Sequence, residues 1–543
     1  MTEKKQLRIT MAQTNPIVGD VTGNADKILS VYNDYKDQTD LIIFTELILS
    51  GYQPEDLVLH DSFINLCMKM AYDIAKQTKN GPAVIISSPW LNTQNQRQNC
   101  ALFCHDGDIQ SIMPKYELPN YGVFDEVRVF DQGELSMPVD YMGYKLGIAT
   151  CEDLWFPTVA KQLKENGADI LISVNGSPFE LNKDAKRKSI IKARALETDL
   201  PVIYVNQVGG QDEIVYDGGS FAINADGELV AQCDFFSSET ITLNCLPRES
   251  GDLGLQISGS PIKSGTLDNN KLVYECLKLG LHDYVTKNNF PGVLLGLSGG
   301  IDSALSAVIA VDALGADKVH CVMMPSPYTS QESLDDAKAL AENLGCRYDI
   351  MDIQPAMDAY HKMIPDMNGV ALENIQSRAR GMALMAMSNT HGYMVLSTGN
   401  KSEMAVGYAT LYGDMCGGYN VLKDVYKTEV FELSRWRNDQ EFVMPENIIT
   451  RPPSAELRPD QKDEDSLPDY EILDAILESL IEKRKSTSQI ISEGFDAKTV
   501  HMIRIWLDRA EYKRRQAPPG VKITKNSFGR ERRMPITNKY QNA

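Results

Sequence analysis

The chain has 543 residues, too many for one hydrophobic core, so about two to four domains are expected. Apolar residues make up 43% and charged residues 24%, ordinary for a globular protein, and the net charge of −20 disfavours nucleic acid or an anionic membrane as a partner of the whole chain. The opening MTEKKQLRIT lacks the apolar core of a secretory signal, and no run of ~18 apolar residues occurs to span a bilayer.

The first ~260 residues alternate β-rich and helical runs. LRITMAQTN reads as a strand and NADKILSVYNDYKDQ as an amphipathic helix. DLIIFTE, AVIISSPW, QNCALFCHDGDIQSIMPK, YKLGIATCED, ADILISVNGS and LPVIYVNQVGG follow as apolar strands, the third folding back at Asp106-Gly107. TVAKQLKENGA and AKRKSIIKARALETD read as helices between them, which makes a mixed α/β layer domain. Periodicity then fades in a stretch rich in Gly, Ser and Pro, so a linker is placed at 251–268, between domains at 1–250 and 269–543. Beyond it NNKLVYECLKLGLHDYVTKN reads as a helix and PGVLLGLSGG as a strand and turn. KVHCVMMP, CRYDIMDI and YMVLSTGN are strands, with helices near 331–344 and 371–389 between them, the pattern of a doubly wound parallel sheet. The ten cysteines show no zinc-type spacing, Cys100 and Cys104 being the nearest pair, so a cytoplasmic chain with reduced, mostly buried thiols is expected.

The turn GLSGGIDS, Gly296 through Leu297, Ser298, Gly299, Gly300, Ile301, Asp302 and Ser303, is built for an anion. Successive backbone N–H groups form a nest, a helix N-terminus adds positive potential, and glycines admit a phosphate without Cβ contacts. Ser298 and Ser303 offer hydroxyl donors. Asp302 repels a phosphate directly but fits beside it through a divalent cation, Mg2+ being the expected one. Past the next strand, Thr398 and Glu403 fall where open sheets bind ligands, and Glu403 either shares that metal or simply favours a helix first turn. Arg378 and Arg380 stand near a helix start, and Lys513, Arg514 and Arg515 lie in a basic tail of nine Lys/Arg against two Asp/Glu over 511–543. The tail is either a solvated surface or a source of phosphate contacts. Residues 408–420 and 451–468 read as loops, either ordinary surface or mobile closures over the site.

In the first half, Glu46, Lys115 and Cys151 each end a strand. A buried structural cysteine is the usual reading of Cys151. Yet a thiolate needs a base, and a cation lowers its pKa and later holds an oxyanion, so the three residue types make sense at one point. No histidine is well placed as the base; His105 lies in a turn.

SGGIDS after an apolar strand resembles the pyrophosphate loop of the ATP-pyrophosphatase group, and the Glu-Lys-Cys set with KYELPNYGVFDE and CEDLWFP resembles the glutamine-hydrolysing branch of the nitrilase superfamily. Joined in this order, they resemble bacterial glutamine-dependent NAD(+) synthetases over nearly the whole chain. That resemblance implies an N-terminal αββα nitrilase-like sandwich, the glutaminase, and a C-terminal Rossmann-like ATP-pyrophosphatase domain, the synthetase. It implies a ligase in NAD biosynthesis that amidates deamido-NAD through an adenylate, with L-glutamine, ATP, deamido-NAD and Mg2+ as partners, no prosthetic group, and a homo-oligomer through the synthetase domain. The general base falls on Glu46, the stabilising lysine on Lys115 and the nucleophile on Cys151. Glutamine positions fall on Tyr121, Glu126, Ser177 and Lys183. ATP positions fall on residues 296–303, Thr398 and Lys423, and deamido-NAD positions on Asn374, Arg378, Glu403 and Lys513, with Asp302 and Glu403 at the metal. Alternatives are another glutamine- or ammonia-dependent amidotransferase with the same ATP loop, an amidase with a nucleotide-sensing C-terminal half, and a non-catalytic interaction protein.

Overall fold

The computed structural model describes residues 6–247, 253–257, 268–458, 461 and 463–540, and the chain divides into two units, Met1–Thr266 and Leu267–Ala543. The first unit opens with β1 (Leu7–Gln13), α1 (Val21–Tyr35), β2 (Leu41–Ile43) and α2 (Asp61–Gln77). A meander follows: β3 (Ala83–Leu91), β4 (Arg97–His105) and β5 (Asp108–Pro114). Then come β6 (Val139–Tyr141), β7 (Tyr144–Thr150), α3 (Pro157–Glu165), β8 (Ile170–Asn175), α4 (Lys183–Thr198) and β9 (Val202–Asn206). The unit ends with the hairpin β10 (Val208–Gln211) and β11 (Ile214–Asp217), then β12 (Phe221–Ile223), β13 (Leu229–Gln232), β14 (Glu239–Pro247) and β15 (Leu253–Ile257).

These strands form two main sheets, in the orders β15-β14-β1-β2-β3-β4-β5 and β13-β12-β9-β8-β7-β6. The period of two along each strand decides the layering. Leu7, Ile9 and Met11 of β1 share one core with Ile170, Ile172 and Val174 of β8. Ile42, Val84 and Ile86 instead meet Ala25 and Ile28 of α1 and Ala71 and Ile74 of α2. On the second sheet Leu171, Val202 and Tyr204 meet Val159 and Leu163 of α3 and Ile191 of α4. The result is the αββα sandwich expected, and each fully buried Leu, Ile or Val in it contributes about 1.5–3 kcal/mol. The β4–β5 turn has Asp106 at φ +49° and Gly107 at φ +86°, as a two-residue turn with both residues left-handed requires.

The linker expected over 251–268 departs from the structure at Leu253–Ile257, which pairs antiparallel with β14 and buries Leu255. Its short alternation LGLQI is masked in sequence by flanking Gly and Ser. Residues 251–252 and 258–267 of that expectation lie outside the described residues.

The second unit runs α5 (Asn269–Lys287), β16 (Val293–Gly296), α6 (Ile301–Leu314), β17 (Val319–Met323), α7 (Gln331–Leu344) and β18 (Arg347–Ile350). It continues with α8 (Gln354–Met363), α9 (Val370–His391), β19 (Met394–Ser397), α10 (Lys401–Val406), β20 (Tyr419–Asn420), α11 (Lys427–Gln440) and α12 (Glu446–Thr450). The helices α13 (Tyr470–Ile481), α14 (Thr487–Ser492), α15 (Ala497–Arg509) and α16 (Glu511–Arg514) complete it. Its sheet is wholly parallel, in the order β18-β17-β16-β19-β20. The order reverses between β16 and β19, and a crevice opens at that switch point beyond the strand ends. Among the described residues no helix is long and apolar enough to cross a membrane.

Candidate active sites

In the first unit Lys115 directly follows β5, Cys151 directly follows β7, and Glu46 lies just past β2. All three are buried. Lys115 Nζ donates to Glu46 Oε1 at 2.7 Å and to Glu126 Oε1 at 2.9 Å, with the lysine and Glu46 side chains fully excluded from solvent. Glu46 is held from two further sides, by Asn99 Nδ2 on Oε1 at 2.8 Å and the Gly176 N–H on Oε2 at 2.9 Å. Burial holds the Cys151 thiol well above its ordinary range; the Glu46 charge adds to this and Lys115 opposes it. A thiol so placed rests protonated and depends on a base. Cys151 adopts φ +45°, a left-handed conformation uncommon for a side-chain-bearing residue and a store of local strain. Asp153 fixes that turn. Its Oδ2 accepts Thr150 N–H at 3.0 Å, and its Oδ1 accepts the N–H groups of Tyr116 and Glu117 at 3.0 and 2.8 Å, tying the cysteine turn to the chain after Lys115.

The predicted glutamine-binding residues sort into two groups. Glu126 belongs with the catalytic lysine: beside its bond to Lys115 it accepts the Tyr52 hydroxyl at 2.7 Å, and its Oε2 is buried without a partner. Burial pushes its carboxyl up to about 7 although Lys115 opposes the shift. Tyr121, by contrast, is half exposed and donates its hydroxyl to both carboxylate oxygens of Glu152, at 2.9 and 3.0 Å. Lys183 lies over the Phe124 ring at 5.7 Å and acts electrostatically on Glu152. Glu152 is thus the carboxylate that stands with Tyr121 and Lys183. The sequence carries a trace of it in the acid that follows Cys151. Ser177 is set by a buried network: its N–H donates to Asn206 Oδ1 at 2.9 Å, and Arg187 reaches its Oγ at 3.3 Å while pairing with Asp217 at 3.1 Å. His105 packs edge-on against Tyr141, with ring centres 5.0 Å apart, and joins neither group.

In the second unit the turn after β16 borders a cavity of about 290 Å³. Gly299 has φ +81°, and a Cβ there would lie 2.5 Å from the Ser333 carbonyl oxygen, so only glycine fits. The serines shape the loop rather than standing free. Ser303 Oγ donates to the Gly300 carbonyl at 2.9 Å and accepts the Ser298 N–H at 3.2 Å, and Ser298 Oγ accepts the Gly300 N–H at 3.2 Å. Thr398, Asp302 and Glu403 line the same cavity.

Asp302 and Glu403 face one cation, the ammonium of Lys427. Asn400 positions both carboxylates: its Nδ2 donates to Asp302 at 2.8 Å, and its N–H reaches Glu403 at 3.4 Å as part of the α10 capping box. Both readings of Glu403, helix-start acid and cavity carboxylate, therefore hold. Burial pushes Glu403 up to about 8, with Lys427 opposing and Asp302 adding. Lys427 was not singled out in the sequence. Lys423, which was, is buried beside Gly520 and does not line the cavity. NVLKDVYK holds two lysines, and only the one opening α11 faces the crevice. Two carboxylates converging on a positive charge suit a hard divalent cation, although among the described residues no three His, Cys, Asp or Glu side chains cluster as a metal site. Further oxygen ligands would come from phosphate and water.

Asn374, Arg378 and Lys513 do not line the cavity; all three grip the segment 407–411 beside it. Thr410 Oγ1 donates to Asn374 at 2.9 Å, Arg378 reaches the Leu411 carbonyl at 3.2 Å, and Lys513 donates to the Gly407 and Ala409 carbonyls, both at 2.7 Å. Arg514 is buried against the carbonyls of Met404, Ala405 and Leu507 and against Glu511, so that part of the basic tail is structural. The expected loop at 451–468 is tied to the cavity wall. Arg451 donates to the Gly299 carbonyl at 3.2 Å and Ser333 Oγ at 2.9 Å, and Glu456 accepts from Ser330 and Ser333 at the start of α7. Arg380, which donates to the Met324 carbonyl at 2.9 Å, lines the cavity as well.

The carbon–nitrogen hydrolase family matches residues 8–249, and the NAD synthase family matches residues 273–517. The chain is 44% identical to the glutamine-dependent NAD(+) synthetase of Rhodobacter capsulatus, over 99% of each chain, and 44% identical to that of Acinetobacter baylyi, again over 99% of each. The solved structure of glutamine-dependent NAD(+) synthetase from Acinetobacter baumannii, in complex with ADP, is 40% identical, with a TM-score of 0.79 over 99% of this chain and 100% of that one.

Proposed function

The chain belongs to the family of glutamine-dependent NAD(+) synthetases, and from that premise we propose how its residues divide the work. The enzyme makes NAD by ATP-dependent amidation of deamido-NAD, with nitrogen taken from glutamine. The glutaminase occupies the first unit and the synthetase the second.

Glu46 takes the thiol proton of Cys151, and the thiolate attacks the carboxamide carbon of glutamine. Lys115, pinned between Glu46 and Glu126, presents its ammonium to the oxyanion that forms. The proton held by Glu46 passes to the departing nitrogen, ammonia leaves, and water then cleaves the thioester to glutamate. The amino-acid head of the substrate has both charges matched at Tyr121: Glu152 for the ammonium and Lys183 for the carboxylate. Glu152 takes the role the resemblance gave to Glu126, because Glu126 is already committed to Lys115 and Tyr52.

In the second unit the pyridine carboxylate of deamido-NAD attacks the α-phosphorus of ATP, and pyrophosphate departs into the nest of residues 298–303. Asp302 and Glu403 would hold Mg2+, which when bound supplies positive charge against the phosphate oxygens. Ammonia displaces AMP from the acyl-adenylate and completes the amide. Asn374, Arg378 and Lys513 brace the segment 407–411 as the wall on which the dinucleotide rests.

We further infer that a second copy of the chain covers the face of α8 and α9. No residue of α8 is buried, and Met363, Val370 and Met382 are about two-thirds or more exposed. Sedimentation of a Met382→Glu variant as a monomer would support this, and an unchanged assembly would oppose it. A cytoplasmic location agrees with ten free cysteines.

The observation that carries the functional reading is the buried Glu46–Lys115 pair beside Cys151 in one unit, together with a phosphate nest flanked by paired carboxylates in the other. The test is a product assay with deamido-NAD, ATP and Mg2+, run with glutamine and separately with ammonium. NAD and AMP should appear in both. Absence of NAD in both would remove the reading.

A further inference from the structure

Lys427 is the first residue of α11, and its side chain is almost wholly buried between Asp302 and Glu403, pairing with both, with Glu403 Oε1 at 3.4 Å. These are the carboxylates to which the preceding section assigns the divalent cation, and the present inference rests on that assignment. An ammonium and a divalent cation cannot both occupy this position. They repel each other, and the carboxylate oxygens that face Nζ are those a hard cation must take at ~2.0–2.6 Å. The carboxylates themselves have little freedom to turn elsewhere, because Asn400 holds one oxygen of each.

The ammonium has somewhere to go. Its Nζ lies 5.3 Å from the centre of the Tyr470 ring. The Tyr470 hydroxyl donates to Asp463 at 2.9 Å and the Tyr408 hydroxyl donates to it at 3.2 Å, which fixes a third carboxylate in the same cavity. Phosphate oxygens entering the nest at 298–303 would provide further negative charge in that cavity. The free enzyme therefore carries its own counter-ion where the reaction needs a metal.

We propose that Lys427 is a resident cation that keeps free divalent metal out of the Asp302–Glu403 site until nucleotide phosphates draw its ammonium away, so that metal and nucleotide enter together. Lys427 is in this sense a positioning residue that sets the order of binding. With the ammonium removed, two buried carboxylates face each other uncompensated and recruit a cation on their own.

The test reads Mn2+ binding to the full chain, without turnover, by electron paramagnetic resonance. Without nucleotide the wild type should bind Mn2+ weakly, and Lys427→Met and Lys427→Gln should each bind it on the order of tenfold tighter or more. Lys427→Arg, which keeps the charge, should exclude Mn2+ as the wild type does. Equal affinity of wild type and both neutral variants overturns the proposal. So does tight Mn2+ binding by the nucleotide-free wild type, a measurement that needs no variant to fold. A separate arm adds a non-hydrolysable ATP analogue and compares wild type with Asp302→Asn. Lost Mn2+ uptake in that variant supports the carboxylates as metal holders, whereas unchanged uptake refutes that assignment itself.

Discussion

Replacing Glu46 by Gln removes the proposed base while keeping its shape. The side-chain oxygen can still accept from Asn99 and Lys115, and Lys115 retains Glu126 as a charged partner, so the unit should fold. Burial and the carboxylates around Cys151 keep its thiol above an ordinary value of about 9. At neutral pH fewer than about one molecule in a hundred then carries the thiolate unaided. A positioned general base contributes about 10²–10⁴ in rate. Glutamine-driven NAD formation by Glu46→Gln should therefore fall by about 10³, or ~4 kcal/mol in barrier. Glutamate release and NAD formation are measured side by side, the latter also with ammonium as donor. The ammonium-driven rate should stay within about twofold of wild type. Glutamine-driven activity within about tenfold of wild type, or an equal loss with both nitrogen donors, would refute the reasoning.

Arg187→Met leaves Asp217 buried without its cation, which typically costs about 3–5 kcal/mol. The urea midpoint for loss of glutamine hydrolysis should drop accordingly, while Arg187→Lys should recover part of it; an unchanged midpoint would count against the network. Gly299→Ala forces a Cβ to 2.5 Å from the Ser333 carbonyl at a left-handed φ. The KM for ATP should rise by about tenfold or more with basal glutamine hydrolysis little changed, and an unaltered KM would show that the loop does not touch nucleotide. Glu126 sits at about 7 against an ordinary 4.5, so the folded chain keeps a proton that the unfolded chain releases between those values. That stability is fully present below pH 4.5 and lost as pH rises through 7, on the order of 2–3 kcal/mol. Glu126→Gln should flatten this part of the profile of thermal midpoint against pH, and an unchanged slope would contradict it.

Where local signals agreed, the architecture was legible. The Asp106-Gly107 turn, the helix Asn269–Lys287 and the helix Gln331–Leu344 lie where turn chemistry and periodicity put them. Glu46, Lys115 and Cys151 were legible as a set because each closes an apolar strand and strand ends gather at one edge of a parallel core. What packing alone decides was not legible. Glu126 and Glu152 are both acids near the site, and only the fold shows that one turns inward to Lys115 and the other outward to Tyr121. Lys423 and Lys427 stand four residues apart, and the start of α11 chooses between them. Arg451 reaches Gly299 from 152 residues away, a contact no local pattern records. Leu253–Ile257 became a strand because β14 offered it an edge, which composition cannot reveal.

The central claim is that one thiol liberates the nitrogen and a separate nucleotide site consumes it. Cys151→Ala isolates the two. The account predicts that this variant makes no NAD from deamido-NAD, ATP and glutamine, yet makes it at close to the wild-type rate when ammonium is supplied. Loss of NAD formation with both donors, or its persistence with glutamine, would contradict the account.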